Sequence, residues 1–319
     1  MATSGMHYAQ CAANDGCKLA FQTSLPLEGA AAAAPATRCV LLMHGFSGSS
    51  DYFHRNADAL AAAGLWVVAP DMRGHGRSDR TRGGYHVARL AADLRDLVSH
   101  LRRAGAAAPG LRIVPVGCSI GAAVLWTYVE LFGCADFSGF VFVDQAPLQD
   151  RSPWDGWDET RAHTGCYDET TLLAAQRFWT ADTAAAHVDL VDGCLGYRAR
   201  PDPAADDVPA ETRSRDEAFF TGVSALCDPA WLARLLADHT RYDHREAIEA
   251  IGVPTLVMAG RRSGCFPLEG MLETVRRVEK GRGPGLARAS VFEAGHWLFY
   301  EQPERFNREI VEFVGECTK

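Results

Sequence analysis

The sequence predicts an α/β architecture: a mostly parallel sheet covered by helices on both faces, with a helical segment inserted late in the chain. Three observations carry this. Short apolar runs of strand length alternate with longer runs of helical periodicity at both ends of the 319-residue chain. Between Asp144 and Pro254 the alternation breaks into helical patches with no convincing core strand. One strand-to-helix junction reads Gly117-Cys118-Ser119-Ile120-Gly121, where flanking glycines let a sharp turn bring neighbouring elements close together.

Taken in order, Tyr8–Ala13, the turn Asn14-Asp15-Gly16 and Lys18–Ser24 read as an opening hairpin. Pro26–Thr37 reads as an alanine-rich surface loop, and Cys39–Met43 as a short buried strand ending at His44-Gly45-Phe46-Ser47-Gly48. A helix is expected to start near Asp51, capped by its carboxylate, and to stop at Gly64. Leu65–Ala69 is the next strand and leads into Pro70-Asp71-Met72-Arg73-Gly74-His75-Gly76-Arg77-Ser78. Val87, Leu90, Ala91, Leu94, Leu97, Val98 and Leu101 form one apolar stripe of a helix that ends before Gly105. Leu111–Val116 is the strand before the serine turn, and Ala122–Leu131 the helix after it. Phe140–Val143 is a strand ending at Asp144. Pro254–Ala259 and Ala289–Glu293 are the last strands, each followed by a helix, and the terminal helix gathers Phe306, Ile310, Phe313 and Val314 on one side.

The expected organisation is a core in two parts, residues 1–147 and 246–319, with a helical cap over 148–245. Such an insertion would sit over the C-terminal edge of the strands, where ligands bind in open α/β sheets. Trp154, Trp157, Phe178, Trp179, Tyr197, Phe219, Phe220 and Trp231 are concentrated in it. Most of these aromatics are expected to pack the cap, with one or two facing a pocket.

Net charge is −8, and the absence of a dense Lys/Arg block argues against nucleic acid or an anionic membrane as partner. No apolar run approaches the length of a bilayer span, and Met1–Gln10 lacks a basic region followed by an apolar core. The ten cysteines are scattered, without C-x-x-C or Cys/His spacing. Cys39, Cys118 and Cys134 lie in or beside core elements, where a thiol packs as a small apolar group. These features predict a reduced, cytoplasmic protein with no metal and no cofactor. They leave open whether it is a homo-oligomer.

The serine turn is a G-x-S-x-G nucleophile elbow in the strand–turn–helix setting that its chemistry requires. Ser119 needs a base to take its proton. His296 fits best, because Glu293-Ala294-Gly295-His296-Trp297 follows the final strand and Gly295 frees the turn to present the ring. A tetrahedral intermediate also needs fixed donors for its oxyanion. The amides of Ile120, just after the serine, and Phe46, in the loop after Cys39–Met43, are the expected pair. His44 is read as a residue that stabilises its turn.

The pattern resembles the α/β-hydrolase superfamily over nearly the whole chain, specifically its serine-nucleophile members with a helical cap. The resemblance rests on His44-Gly45-Phe46, Asp71-x-Arg73-Gly74-His75-Gly76-x-Ser78, the elbow at Ser119, and Gly295-His296. The Asp71–Ser78 segment is assigned to shaping the loop rather than to chemistry. One departure concerns the acid, which the family usually places in a G-x-x-D-x-x-x-P frame after the penultimate strand. Here Gly260 and Pro267 fit the frame, but Ser263 stands where the acid belongs. Some members supply the acid after the strand that follows the elbow helix, which here means Asp144. Glu269 or a Ser–His dyad remain the other readings, with Ser263 helping to orient the histidine. Esterases, lactonases, thioesterases, carbon–carbon bond hydrolases and cofactor-free perhydrolases share these motifs, and the expected reaction is hydrolysis of a carboxylic ester, a lactone or a thioester. Phe46, Trp154, Trp157, Trp179 and Trp297 are the expected contacts to an apolar or ring-containing substrate. Acyl transfer to an acceptor other than water, and a non-catalytic receptor on the same fold, are the alternatives.

Overall fold

The computed structural model describes residues 5–27, 35–150, 167–204 and 206–319. Its strands are β1 (His7–Ala12), β2 (Lys18–Thr23), β3 (Ala36–Met43), β4 (Trp66–Pro70), β5 (Ala107–Cys118), β6 (Phe140–Val143), β7 (Thr255–Gly260) and β8 (Ala287–Phe292). They form one eight-stranded sheet in the order β1-β2-β4-β3-β5-β6-β7-β8. The pairs β1–β2 and β2–β4 are antiparallel. From β4 through β8 every pair is parallel. The opening hairpin therefore forms as its sequence predicts and caps one edge of a parallel sheet.

Helices α1 (Ala57–Ala62), α2 (Val87–Arg103) and α3 (Ile120–Phe132) precede the insertion, and α10 (Leu268–Arg282), α11 (Leu298–Glu301) and α12 (Pro303–Cys317) follow it. The two-residue period of β3 divides its side chains between two cores. Cys39, Leu41 and Met43 pack with the apolar stripe of α2 and with α3. Val40 and Leu42 pack on the other face with α1 and with Phe306, Ile310, Phe313 and Val314 of α12. Both predicted stripes are thus buried, on opposite sides of the sheet.

Between β6 and β7 lie α4 (Glu169–Ala181), α5 (Thr183–Cys194), α6 (Gly196–Ala199), α7 (Ala210–Ser224), α8 (Pro229–Arg241) and α9 (Arg245–Glu249). Among the described residues this insertion adds no strand to the sheet. It has a small core of its own, built from Leu172, Trp179, Ala186, Cys227, Leu232, Ala233 and Leu236.

The helix expected from Asp51 to Gly64 is a correction. The segment is a short 3₁₀ turn over Ser50–Phe53, followed separately by α1. Asp51 does not cap it. Ser49 Oγ accepts from the Asp51 amide, while the Asp51 carboxylate accepts from Tyr8, Gln22 and Arg77. A tertiary polar cluster has claimed the side chain that local reading assigned to the cap.

Buried histidines are expected to make this fold acid-sensitive. His44, His75, His239 and His244 are each at most 4% exposed. Burial holds His44 down to about 4 and the other three to about 3. Their folded values lie below the ordinary histidine value, so the stability they carry is present above pH 6.5 and lost as pH falls. Each contributes up to about 1.4 kcal/mol per pH unit in that window. Urea midpoints are expected to fall as pH drops from about 6.5 to about 5. A midpoint unchanged across that range contradicts the assignment of these rings as buried and neutral.

Candidate active site

The four C-terminal parallel strands place Ser119, Asp144, Ser263 and His296 along one edge, to which the loop after β3 adds Phe46. Ser119 follows β5, Asp144 follows β6, Ser263 lies just past β7, and His296 lies in the loop after β8. The ladder continues to the strand ends, with Ser119 N–H donating to Val143 O at 2.9 Å and Asp144 N–H to Met258 O at 2.9 Å.

Ser119 has φ 53° and ψ −125°, the strained conformation expected of the elbow. The flanking glycines are required for space. A Cβ on Gly117 would lie 2.6 Å from backbone atoms of Gly121 and Ala122, and one on Gly121 would lie 2.8 Å from Met43 O. Ser47 and Asp144 are the other non-glycine residues with positive φ among the described residues, at 57° and 48°. All three sit just beyond the ends of adjacent strands, where the chain is bent to present polar groups. The Cys118 side chain packs into the core beneath the elbow, as predicted.

Asp144 is fully buried. Its Oδ1 accepts from the Ser263 hydroxyl at 2.7 Å and lies 2.6 Å from His296 Nδ1, while Oδ2 accepts from the Gly260 amide at 2.7 Å. The ring therefore meets the carboxylate expected of it. Ser263 orients that carboxylate, which corrects the expectation that it would orient the histidine. Ser263 Oγ also accepts from the Cys265 and Phe266 amides, at 3.2 and 3.3 Å. Glu269 is excluded as the ring's partner, since its exposed carboxylate pairs with Arg276 on α10.

Gly295 works differently from the sequence expectation. Its φ is not positive, so it supplies room rather than freedom: a Cβ there would lie 2.3 Å from Gly196 N and 2.4 Å from Cys194 O. Glu301 fixes this contact by accepting from both the Gly295 and Gly196 amides. Burial favours the neutral form of the His296 ring, but the Cys265 sulfur and the Asp144 carboxylate outweigh it and raise its pKa above the ordinary value. The stability tied to that rise is present below pH 6.5 and lost at alkaline pH, opposite in sign to the four histidines above. His44 holds its turn as predicted, with Nδ1 2.8 Å from Gly45 O and Nε2 accepting from the Met72 amide at 2.9 Å.

Ser119, His296, Phe46, Trp179 and Trp297 line one cavity of about 590 Å³ under the insertion. Trp179 meets Phe46 edge-on at 5.0 Å. Most other cap aromatics pack: Phe220 stacks on Trp297 at 3.6 Å, and Trp231 meets His75 edge-on. Ile120 is fully buried and its side chain takes no part in the cavity wall. Trp154 and Trp157 lie outside the described residues. Sequence reading missed Gln149, His239, Cys194 and Cys265 in the wall, and Glu301 behind it. Only Cys265 left a signal, since it falls inside the Gly260–Pro267 frame. The others come from turns and helices whose facing the sequence does not fix.

Residues 38–303 match the alpha/beta hydrolase fold family, and the chain belongs to that family. It is similar to epoxide hydrolase A of Mycobacterium tuberculosis, 27% identical across 89% of this chain and 92% of the relative. It is also similar to a non-heme haloperoxidase of Rhodococcus erythropolis, 25% identical across 87% and 92%. Among solved structures, an esterase from Exiguobacterium antarcticum superposes with a TM-score of 0.76 at 18% identity, covering 96% of this chain and 99% of that one. Among the described residues no helix is long and apolar enough to cross a membrane.

Proposed function

We propose that the protein is a serine hydrolase that cleaves a carboxylic ester through an acyl-enzyme on Ser119. Ser119 Oγ attacks the ester carbonyl as His296 takes its proton, and the amides of Phe46 and Ile120 receive the oxyanion. The tetrahedral intermediate collapses as His296 gives the proton to the leaving alcohol. Water, activated by the same ring, then releases the acid. Asp144 holds the ring in the tautomer that leaves Nε2 as base.

The observation that carries this reading is the buried contact of 2.6 Å between Asp144 and His296 at the wall of the cavity that Ser119 also lines. The epoxide hydrolase relative suggests a second electrophile, but a serine at the elbow argues against it: opening an epoxide would leave a stable ether on Ser119, whereas an acyl group on serine remains hydrolysable. Phe46, Trp179, Leu190, Leu236, Phe266 and Trp297 give one part of the wall to an apolar or ring-containing group of moderate size, while Asp189, Arg200 and Tyr167 line the rest beside polar parts of the substrate. Gln149 and His239, 2.8 Å apart in the same wall, offer it a polar contact. Trp154 and Trp157 belong to the same proposal as further substrate contacts. A reducing, cytoplasmic setting belongs to the same proposal, on the scattered spacing of the cysteines along the chain.

A fluorophosphonate probe should form one covalent adduct per folded chain, on the peptide containing Ser119, and short aryl esters should be hydrolysed. An unlabelled folded chain, or an adduct mapped to another residue, contradicts the proposal.

A further inference from the structure

Beside the His296 ring, the insertion and the core each contribute a cysteine to the same point. Cys194 ends α5, and Cys265 lies between Ser263 and α10. Their sulfurs are 3.6 Å apart. The two Sγ atoms and a ring nitrogen of His296 all lie within 4.8 Å of one another, and all three residues line the cavity. Nδ1 of His296 is engaged by Asp144, so the nitrogen with a lone pair to offer is Nε2.

We infer that Cys194, Cys265 and His296 form a binding site for a thiophilic divalent cation of the zinc or cadmium class, whose occupation takes His296 out of use. The spacing of the sulfurs suits such a cation. With zinc–sulfur bonds of about 2.3 Å at a tetrahedral angle, two thiolates lie about 3.8 Å apart. The observed 3.6 Å is close to the zinc value, so a cation is captured with little side-chain adjustment.

The donors are also held in place. Gly193 O accepts from the Gly264 amide at 3.0 Å and faces the Cys265 sulfur at 3.8 Å, and Trp297 N–H donates to Cys194 O at 3.3 Å. Asp144 behind the ring completes a carboxylate–histidine–metal arrangement, which fixes the tautomer and strengthens the ligand. The fourth position opens to the cavity for a water. Two thiols and one neutral imidazole take up one dication and release two protons. The count is the same if one of those protons already sits on the ring.

Zinc titrated against a chromogenic chelator is expected to bind one ion per chain with proton release. Cobalt(II) should give thiolate-to-metal charge-transfer absorption in the near ultraviolet. Cys194→Ser and Cys265→Ser should each weaken binding by more than about 100-fold, since a lost direct ligand costs more than a lost outer partner. Wild-type protein that shows no charge-transfer band overturns the site whether or not the variants fold, and so does undiminished affinity in the double variant. Inhibition rests on the reading of Ser119 and His296 given above: one equivalent of zinc should stop aryl-ester turnover and a chelator restore it. Thiolate-bound metal in a chain that hydrolyses no ester would leave the site standing and remove that reading. Turnover unaffected by thiolate-bound metal would overturn ligation by His296.

Discussion

Ser119→Ala is expected to lower kcat/KM for an aryl ester by about 10⁶-fold, the order seen when a serine-protease nucleophile is removed. The fold should survive, because the Ser119 side chain makes no capping bond to α3 and the elbow's shape depends on Gly117 and Gly121. The check is turnover measured beside an unchanged circular dichroism spectrum and urea midpoint. Alanine at a strained positive φ is the one structural cost, and serine already bears it. Retained turnover would mean that another group attacks the substrate, and the acyl-enzyme on Ser119 would have to be abandoned.

Asp144→Asn should lower kcat by about 10⁴-fold, as loss of the triad aspartate does elsewhere. Three donors converge on this carboxylate: the Ser263 hydroxyl and His296 Nδ1 on one oxygen, and the Gly260 amide on the other. An amide has a single acceptor oxygen, so its NH₂ must face at least one of those donors. If it faces the ring, the imidazole is driven to the tautomer whose Nε2 carries the proton and cannot act as base. Removing the negative charge also takes away one of the influences raising the His296 pKa, so the acid limb of the pH–rate profile should move down toward the ordinary histidine range. Ser263→Ala deletes one hydrogen bond and leaves the carboxylate its charge, so its effect should stay near tenfold. If the two variants rank in the reverse order, Asp144 is not the acid.

Much of the core was legible in the sequence because its signals are local and periodic. The opening hairpin, the α2 and α12 stripes and the strand–elbow–helix unit each declare themselves within a few residues of chain. Asp51 shows where local reading fails: its neighbours in space, Tyr8, Gln22 and Arg77, lie tens of residues away along the chain. Gly295 gives a subtler version. The sequence marks the position as special, but only the packed structure shows that the backbone of Gly196 and Cys194 occupies the space of a side chain.

By itself, the sequence determined that this chain is a mostly parallel α/β protein with a glycine-flanked serine at a strand end and a histidine after the last strand. Those facts depend on spacing, which the chain carries directly. Only the tertiary structure decided which carboxylate meets the histidine, because that depends on β6 lying next to β7. From that neighbouring strand end Asp144 reaches the position beside Ser263 that the family's usual acid would occupy. It also brought Cys194 and Cys265 together, since their proximity arises from the insertion folding back over the strand ends. Adjacency across a sheet is a property of the assembled strand order, and no short-range pattern in the chain encodes it.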